Sequence, residues 1–219
     1  NTSGVVNVAE AVGTDIGVVT LTQSGGTTFA DTVAAVTVTL TDTTGTIAFN
    51  GNLTVTTALT TASEAYLVSI LGSANVIAGT TTFSNTGGGT LGNAGGDSTT
   101  FTAGVVARLP TALNIAGTVA ANTSTSTMAL GDGDTNVAVT ANTTVGGAAT
   151  GLIDIGDATL VDGATLTVGT GIANAINLDK VTGTASGAVS SLTINTSGVV
   201  NVAEAVGTDI GVVTLTQSG

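Results

Sequence analysis

Aliphatic residues alternate with Thr, Asn, Asp or Gly in short runs along most of the chain. In such a run every second side chain is apolar, which is the period of a β-strand that buries one face. Clusters rich in Gly, Asn, Asp and Thr separate the runs and favour turns. The pattern therefore predicts many short strands. The clearest runs lie at 36–41, 53–56, 137–140, 153–156, 166–169, 192–195 and 213–216, and turn clusters lie at 42–45, 50–52 and 162–163.

The spacing and composition of these runs favour an all-β solenoid. Comparable runs recur about 13 to 26 residues apart, which suits stacked coils with loops of unequal length. The chain is 42% hydrophobic but only 2% aromatic, and Pro110 is its single proline. Small aliphatic side chains suffice for the thin core of stacked coils, whereas a wide globular core normally uses aromatics. We expect a parallel β-helix of right-handed form. Tandem β-sandwich domains are the alternative.

An identical segment occurs at both ends of the chain. Residues 1–25 read NTSGVVNVAEAVGTDIGVVTLTQSG, and residues 195–219 repeat these letters without a change. We interpret 1–194 as one full unit of a longer tandem array and 195–219 as the start of the next unit. On the spacing above, one unit would hold roughly eight to ten coils. An engineered or circularly cut chain is the other explanation. Because the sequence does not begin with Met or a leader, we expect it to be a portion of a longer protein.

Two stretches depart from the alternating pattern. Residues 62–71 are predicted either as one short helix or as a further strand. Thr61 and Glu64 have the spacing of a capping box, and Gly72 stands where a helix would be capped, but the apolar run from Tyr66 also favours a strand. Residues 84–96 are dense in Gly and predict a long loop or a flat turn.

The charged residues exclude several function classes. The chain has no His and no Cys, which argues against the usual zinc, haem and iron–sulfur sites and against Ser-His-Asp or Cys-His catalysis. Two cations stand against 14 acidic residues, so the net charge is −12, and we expect no nucleic-acid partner. No apolar run reaches the ~18–20 residues that a membrane-spanning helix needs. We therefore expect no transmembrane segment in this portion.

Three segments carry a resemblance to known proteins: GNLTVTTALTTA at 51–62, GTTTFSNTGGGTLGNAGG at 79–96 and GATLTVGTGIANAINLDKVTG at 163–183. Their style resembles repetitive bacterial surface proteins, namely autotransporter and filamentous-haemagglutinin-type adhesins and Thr/Gly/Asn-rich S-layer proteins. The resemblance covers nearly the whole chain but rests on composition and repeat style, with no diagnostic motif. It implies an extracellular β-solenoid that forms a fibre, a stalk or a coat.

One candidate metal site and few candidates for catalysis are present. Asp132, Asp134 and Asn136 place oxygen ligands at alternate positions, as in the first part of a calcium loop, although the later Gly and Glu of an EF-hand are missing. Asp154, Asp157 and Asp162 could form a second oxygen-rich edge. We expect calcium at most as a cofactor and no catalytic residues, because a sugar-cleaving site would need aromatic platforms and cations, and the chain has one Tyr, no Trp, one Arg and one Lys. Arg108 and Lys180 are expected to pair with carboxylates, for Lys180 either Asp179 or one on an adjacent coil.

Taken together, these features predict a structural protein and not an enzyme. The expected function is that of a repeat unit in a long extracellular filament, stalk or adhesin-like fibre on a bacterial-type cell surface, with further copies of itself as partner. An S-layer-like coat assisted by calcium is one alternative. An ice-binding or glycan-binding solenoid module is another, because ranks of Thr on a flat face can order water. The sequence names no surface receptor or glycan.

Overall fold

The computed structural model describes residues 1–41 and 43–217. Asp42, from the predicted turn 42–45, lies outside the described residues, as do Ser218 and Gly219 of the second copy of the repeated segment. The described part of the chain contains 23 strands and no helix. The strands are β1 (Val6–Val8), β2 (Val12–Leu21), β3 (Thr27–Phe29), β4 (Val33–Leu40), β5 (Thr46–Phe49), β6 (Leu53–Thr61), β7 (Leu67–Ile70), β8 (Ala74–Ile77), β9 (Thr81–Thr82), β10 (Gly88–Leu91), β11 (Ser98–Phe101), β12 (Val105–Ala107), β13 (Ala112–Ala120), β14 (Met128–Leu130), β15 (Asn136–Val145), β16 (Ile153–Ile155), β17 (Ala158–Leu160), β18 (Thr165–Val168), β19 (Ile176–Leu178), β20 (Val181–Gly183), β21 (Ser190–Asn195), β22 (Val200–Val202) and β23 (Ile210–Thr216).

The strands stack as a parallel β-solenoid of ten turns. Every strand pairing in the described residues is parallel, and strands pair across neighbouring turns, not with their sequence neighbours. The predicted solenoid is therefore confirmed and the β-sandwich alternative is wrong, since sandwiches are built from antiparallel strands. The right-handed sense of winding stays a prediction. The turns can be followed along one column of paired residues, which runs Val6, Thr27, Ile47, Val68, Gly89, Leu113, Val137, Ala158, Val181 and Val206.

Each turn has three faces. The first face contains β1, β3, β5, β7, β10, β17, β20 and the first halves of β13 and β15. The second face contains β8, β11, β18, β21, β23 and the second halves of β13 and β15. The third face contains β9, β12, β14, β16, β19 and β22. Near the N-terminus the long strands β2, β4 and β6 continue from the second face into the third through shifts of register.

The core is a narrow column of Val, Leu, Ile and Ala side chains that point inward from all three faces. Burial of each large aliphatic side chain contributes roughly 1.5–3 kcal/mol. Four phenylalanines thicken the column in two places. The rings of Phe29 and Phe49 stack with their centroids 4.9 Å apart, and those of Phe83 and Phe101 meet edge to face at 6.0 Å. The core is thus as thin as the composition predicted.

The helix expected as one alternative at 62–71 does not form. The chain makes strand β7 there, because β5 below and β10 above offer parallel partners for all four of its residues. The hydroxyl of Thr61 donates to the carbonyl of Thr82 and accepts from the amide of Ser84, so it joins coils and caps no helix. Gly72 is needed for close packing, since a Cβ there would lie 2.6 Å from the Cα of Asn52. Pairing along the axis therefore outweighs the local helix signals.

Two other local expectations are changed. The Gly-rich stretch 84–96 is not a continuous loop, because β10 forms within it and pairs with β7 and β13. In the run 36–41, Val36 is 45% exposed although Val38 and Leu40 are buried. The register between β4 and β6 shifts between Ala35 and Thr37, and this bulge turns Val36 outward.

Alkaline pH is expected to destabilise the fold through Tyr66, which is fully buried. Its hydroxyl donates to the carbonyl of Leu40 at 3.2 Å and accepts from the amide of Ala62 at 2.9 Å. Burial, the largest influence, raises the pKa of the Tyr66 phenol above its ordinary value of 10.0. Because the unfolded chain then loses this proton first, the stabilisation is complete below about pH 10 and is lost as the pH rises through the pKa of the folded state.

The test compares the original chain with Tyr66→Phe in urea unfolding at pH 7 and at pH 11. We expect the original chain to lose more stability between the two pH values than the variant does, because Phe has no proton to lose. Equal losses in the two chains would assign the alkaline sensitivity to other groups.

Candidate functional site

The two cations are paired with carboxylates on other coils. Arg108, which follows β12, contacts the carboxylate of Asp154 in β16, two coils further along the axis. Lys180 contacts Asp157 on the preceding coil with 2.5 Å between Nζ and Oδ2. The expectation of a partner on an adjacent coil is therefore confirmed for Lys180, and Asp179 is not that partner. The hydrogen bond that Lys180 donates to the Asp157 carboxylate raises the pKa of the Lys180 ammonium. Both pairs are partly exposed, so water screens them and each contributes little to stability.

The predicted second oxygen-rich edge is engaged by protein groups. Asp154 and Asp157 carry the two ion pairs, and Asp162 accepts a hydrogen bond from the hydroxyl of Thr184 on the next coil. These three carboxylates therefore connect coils along the axis. The three carboxylates lie close together in the sequence. Their partners Arg108, Lys180 and Thr184 are distant in the sequence and become neighbours only because the coils stack.

Asp132, Asp134 and Asn136 lie in and after the turn before β15. Oδ1 of Asp132 accepts from the backbone amides of Asp134 at 2.9 Å and Thr135 at 2.8 Å, which is the hydrogen bonding of an Asx turn. The Asn136 amide bonds with the hydroxyl of Thr159 on the following coil. Within residues 1–41 and 43–217, no group of three or more acidic residues is placed to hold a metal ion. Calcium binding at these residues stays a prediction.

A buried asparagine that the sequence pattern did not single out joins three coils. Oδ1 of Asn75 accepts from the amide of Leu53 at 2.9 Å, and Nδ2 donates to the carbonyl of Gly72 at 2.6 Å. The same Nδ2 lies within 3.3 Å of the Ser98 carbonyl and 3.2 Å of the Thr99 hydroxyl. Asn75 is 1% exposed. The one signal in the sequence is that Asn75 occupies an inward position in the short apolar run of β8. Backbone groups buried between stacked coils need hydrogen-bond partners, and an inward amide can supply them.

A rank of Thr side chains runs along the outside of the second face. Its members are paired in register from one coil to the next, so their hydroxyls repeat at the strand spacing of about 4.8 Å. A shorter rank on the third face ends in a hydrogen bond of 3.3 Å between the hydroxyls of Thr60 and Thr39. The long rank consists of Thr118, Thr144, Thr167, Thr193 and Thr214.

The last coil of the described chain has an open edge. Strands β22 and β23 pair with β19 and β21 on one side only. Val213 and Leu215 lie at inward positions, beside the buried Leu192 and Ile194, yet they are 54% and 55% exposed because no coil covers them. Such an edge presents backbone groups together with apolar side chains.

Comparison with family models, with curated proteins and with solved structures finds no match for this chain. Among residues 1–41 and 43–217, no helix could cross a membrane. The side-chain contacts of Asn75, Arg108 and Lys180 join different coils along the axis of the solenoid.

Proposed function

We propose that the chain is a structural protein, a repeat unit of a long extracellular filament, stalk or adhesin-like fibre on a bacterial-type cell surface. Its mechanism is mechanical. Parallel backbone hydrogen bonds run along the axis through all ten turns, and the side chains of Asn75, Arg108 and Lys180 add bonds in the same direction. Because backbone pairing joins each coil only to its neighbours, such a stack can be lengthened without changing its cross-section.

The observation that carries this proposal is the recurrence of one segment within one continuous stack. Residues 1–25 recur without a change at 195–219. Both copies pair in parallel with neighbouring coils, with Val19 and Leu21 beside the buried Val38 and Leu40, and Val213 and Leu215 beside the buried Leu192 and Ile194. A segment that fits the same stack at two places along the axis favours a repeating rod.

The acidic surface fits a fibre. A formal charge of −12 keeps neighbouring rods apart at low salt, since exposed like charges repel over about 10 Å at 0.1 M ionic strength. An S-layer-like coat would instead use calcium to bridge these charges between neighbours. The resemblance to repetitive surface proteins supports the extracellular location, because both alternatives belong to that class.

Immunogold electron microscopy of cells that make the protein tests this function. Antibodies raised against the purified chain are expected to label thin filaments outside the cell envelope. Label confined to the cell interior would contradict the proposal. A chelator wash separates the alternatives, because a calcium-bridged coat would be released and a covalently continuous filament would stay.

An ice-binding or glycan-binding module is the second candidate, and the Thr rank of the second face favours it. Thermal hysteresis in the purified chain, lost in Thr144→Val and Thr167→Val together, would support ice binding over a purely structural role. These two residues are partly exposed on the outer surface, so the double variant is expected to fold. A filament protein is expected to show no hysteresis in either form.

A further inference from the structure

The repeated segment occupies different faces at the two ends of the solenoid. In the first copy, Val6–Val8 lies on the first face and the stretch 18–21 lies on the third. In the second copy, Val200–Val202 lies on the third face and the stretch 212–215 on the second. The second copy is therefore displaced by one face. Val6 lies on the first face of the first turn, and Val200 lies on the third face of the ninth turn. The repeat of 194 residues therefore spans eight complete turns and two of the three faces of another.

The same side chains point inward in both copies. Val19 and Leu21 lie beside the buried Val38 and Leu40, and their counterparts Val213 and Leu215 lie beside the buried Leu192 and Ile194. Val6 and Val8 adjoin Thr27 and Phe29, whereas Val200 and Val202 adjoin Ile176 and Leu178. The segment thus has one inner side and one outer side, and the neighbouring coil selects its face.

Each copy of the repeated segment has a neighbouring coil on one side only, and the covered side differs between the two copies. The first copy is covered on its C-terminal side, by β3 and β4, and the second on its N-terminal side, by β19 and β21. Because the two sequences are identical, the strands that cover the first copy also fit the open edge of the second. The structure therefore shows both neighbours of a complete coil, one at each end.

We propose that a further copy of residues 26–219 continues from the second copy and seats its β3 and β4 on β22 and β23. Val38 and Leu40 of the added unit then cover Val213 and Leu215, in the register that the first copy shows. Since the second copy is displaced by one of the three faces, each added unit is rotated about the axis by one face relative to the unit before it. After three units the rotation is complete, so every third unit presents its charged pairs in the same direction. This inference rests on the tandem array in the proposed function and not on its cellular location.

The outer Thr side chains agree with the turned joint. Thr20 of the first copy pairs in register with Thr39, and its counterpart Thr214 ends the rank of the second face. Turned by one face, the added unit places its Thr39 directly after Thr214 and prolongs the rank. Without the turn, Thr214 would lie on the third face, where the outer positions of the preceding coils are Val106, Ala129, Asp154 and Asn177 and form no Thr rank.

Engineered disulfides test the joint in a chain lengthened by residues 26–219 after Gly219. The natural sequence has no Cys, so each pair introduces the only two thiols. The pair Thr214→Cys with Thr39→Cys of the second unit is expected to oxidise, because adjacent strands bring Cα atoms within the 4.4–6.8 Å range of disulfides. Thr214→Cys with Thr60→Cys of the second unit is the matched control. These residues would be two coils apart, about 9.6 Å, and no bond is expected.

A second set of pairs tests the turn. Asn201→Cys with Asn177→Cys is expected to oxidise, since the two residues are paired in the structure. If the repeated segment returned to the face of its first copy, Asn201 would lie beside Thr182 instead. Oxidation of Asn201→Cys with Thr182→Cys would therefore overturn the turn. If the lengthened chain is folded and the pair Asn177→Cys with Asn201→Cys oxidises, but the pair Thr214→Cys with Thr39→Cys of the second unit does not, the proposed contact between β23 and the added β4 is wrong. Gel mobility before and after reduction shows whether each pair has formed a disulfide. The immunogold experiment on cells tests the cellular location separately, so its result does not affect the outcome of the disulfide experiment.

Discussion

Replacing Phe49 by Ala is expected to lower the free energy of unfolding by about 3–5 kcal/mol, the usual cost of removing a fully buried aromatic side chain. Phe49 has no exposed surface, and its ring stacks on Phe29 at a centroid distance of 4.9 Å. The backbone at this position pairs with Phe29 on one coil and Ile70 on the next, so the neighbouring coils cannot close over the cavity. The loss therefore includes both the transfer of the ring and the space left behind.

Urea unfolding followed by circular dichroism measures the effect. Leu67→Ala is the matched control, because Leu67 lies in the adjoining strand β7 but is 41% exposed. The control is expected to cost less than about 1 kcal/mol. Phe49→Leu, which retains most of the buried volume, should fall between the two. Similar losses for Phe49→Ala and Leu67→Ala would contradict the inward placement of Phe49.

Replacing Asn75 by Leu is expected to cost about 2–4 kcal/mol, because it leaves buried polar groups without partners. The amide of Leu53 loses its acceptor at 2.9 Å, and the carbonyl of Gly72 loses its donor at 2.6 Å. Leu is also larger than Asn, so overpacking of this buried position adds to the loss. The variant Asn75→Asp keeps an acceptor for Leu53 but offers no donor to Gly72.

The same urea experiment, with Asn136→Leu as control, tests the role of Asn75. Asn136 also bonds to the next coil through its amide, but it is exposed, so water can replace its partner. The control is expected to change stability by less than about 0.5 kcal/mol. Hydrogen exchange adds a local readout, since the Leu53 amide should exchange faster in Asn75→Leu. An unchanged exchange rate there would show that the amide does not depend on this side chain.

The period of the side chains was enough to predict most strands, because alternation decides which side chains can be buried together whatever the partner strand is. At 166–169 and 192–195 the pattern named the inward residues Leu166, Val168, Leu192 and Ile194, and all four are buried. The same pattern was wrong for Val36, which it placed inward but which is exposed. The bulge that turns Val36 outward depends on how β4 pairs with β6, and the pattern of a single strand does not contain that pairing. It also left 62–71 open between helix and strand, because only β5 and β10 supply the pairing that favours a strand.

The candidate site divides in the same way. The sequence predicted that Arg108 and Lys180 would pair with carboxylates, because isolated cations in an acidic chain have many such neighbours. It could not choose Asp154 and Asp157, which lie 46 and 23 residues away and become neighbours only when coils of unequal length are stacked. Asn75 was missed for a related reason, since the backbone groups that it satisfies belong to three different coils.

By itself, the sequence determined the all-β class, the thin aliphatic core and the recurrence of residues 1–25, because composition, alternation and identity are properties of the chain alone. Only the tertiary structure decided the face on which each copy of that segment lies. A coil that presents the same inner side chains can stack on any face, and the number of residues in the preceding turns sets where it falls. The ion pairs and the buried amide of Asn75 also follow from that stacking.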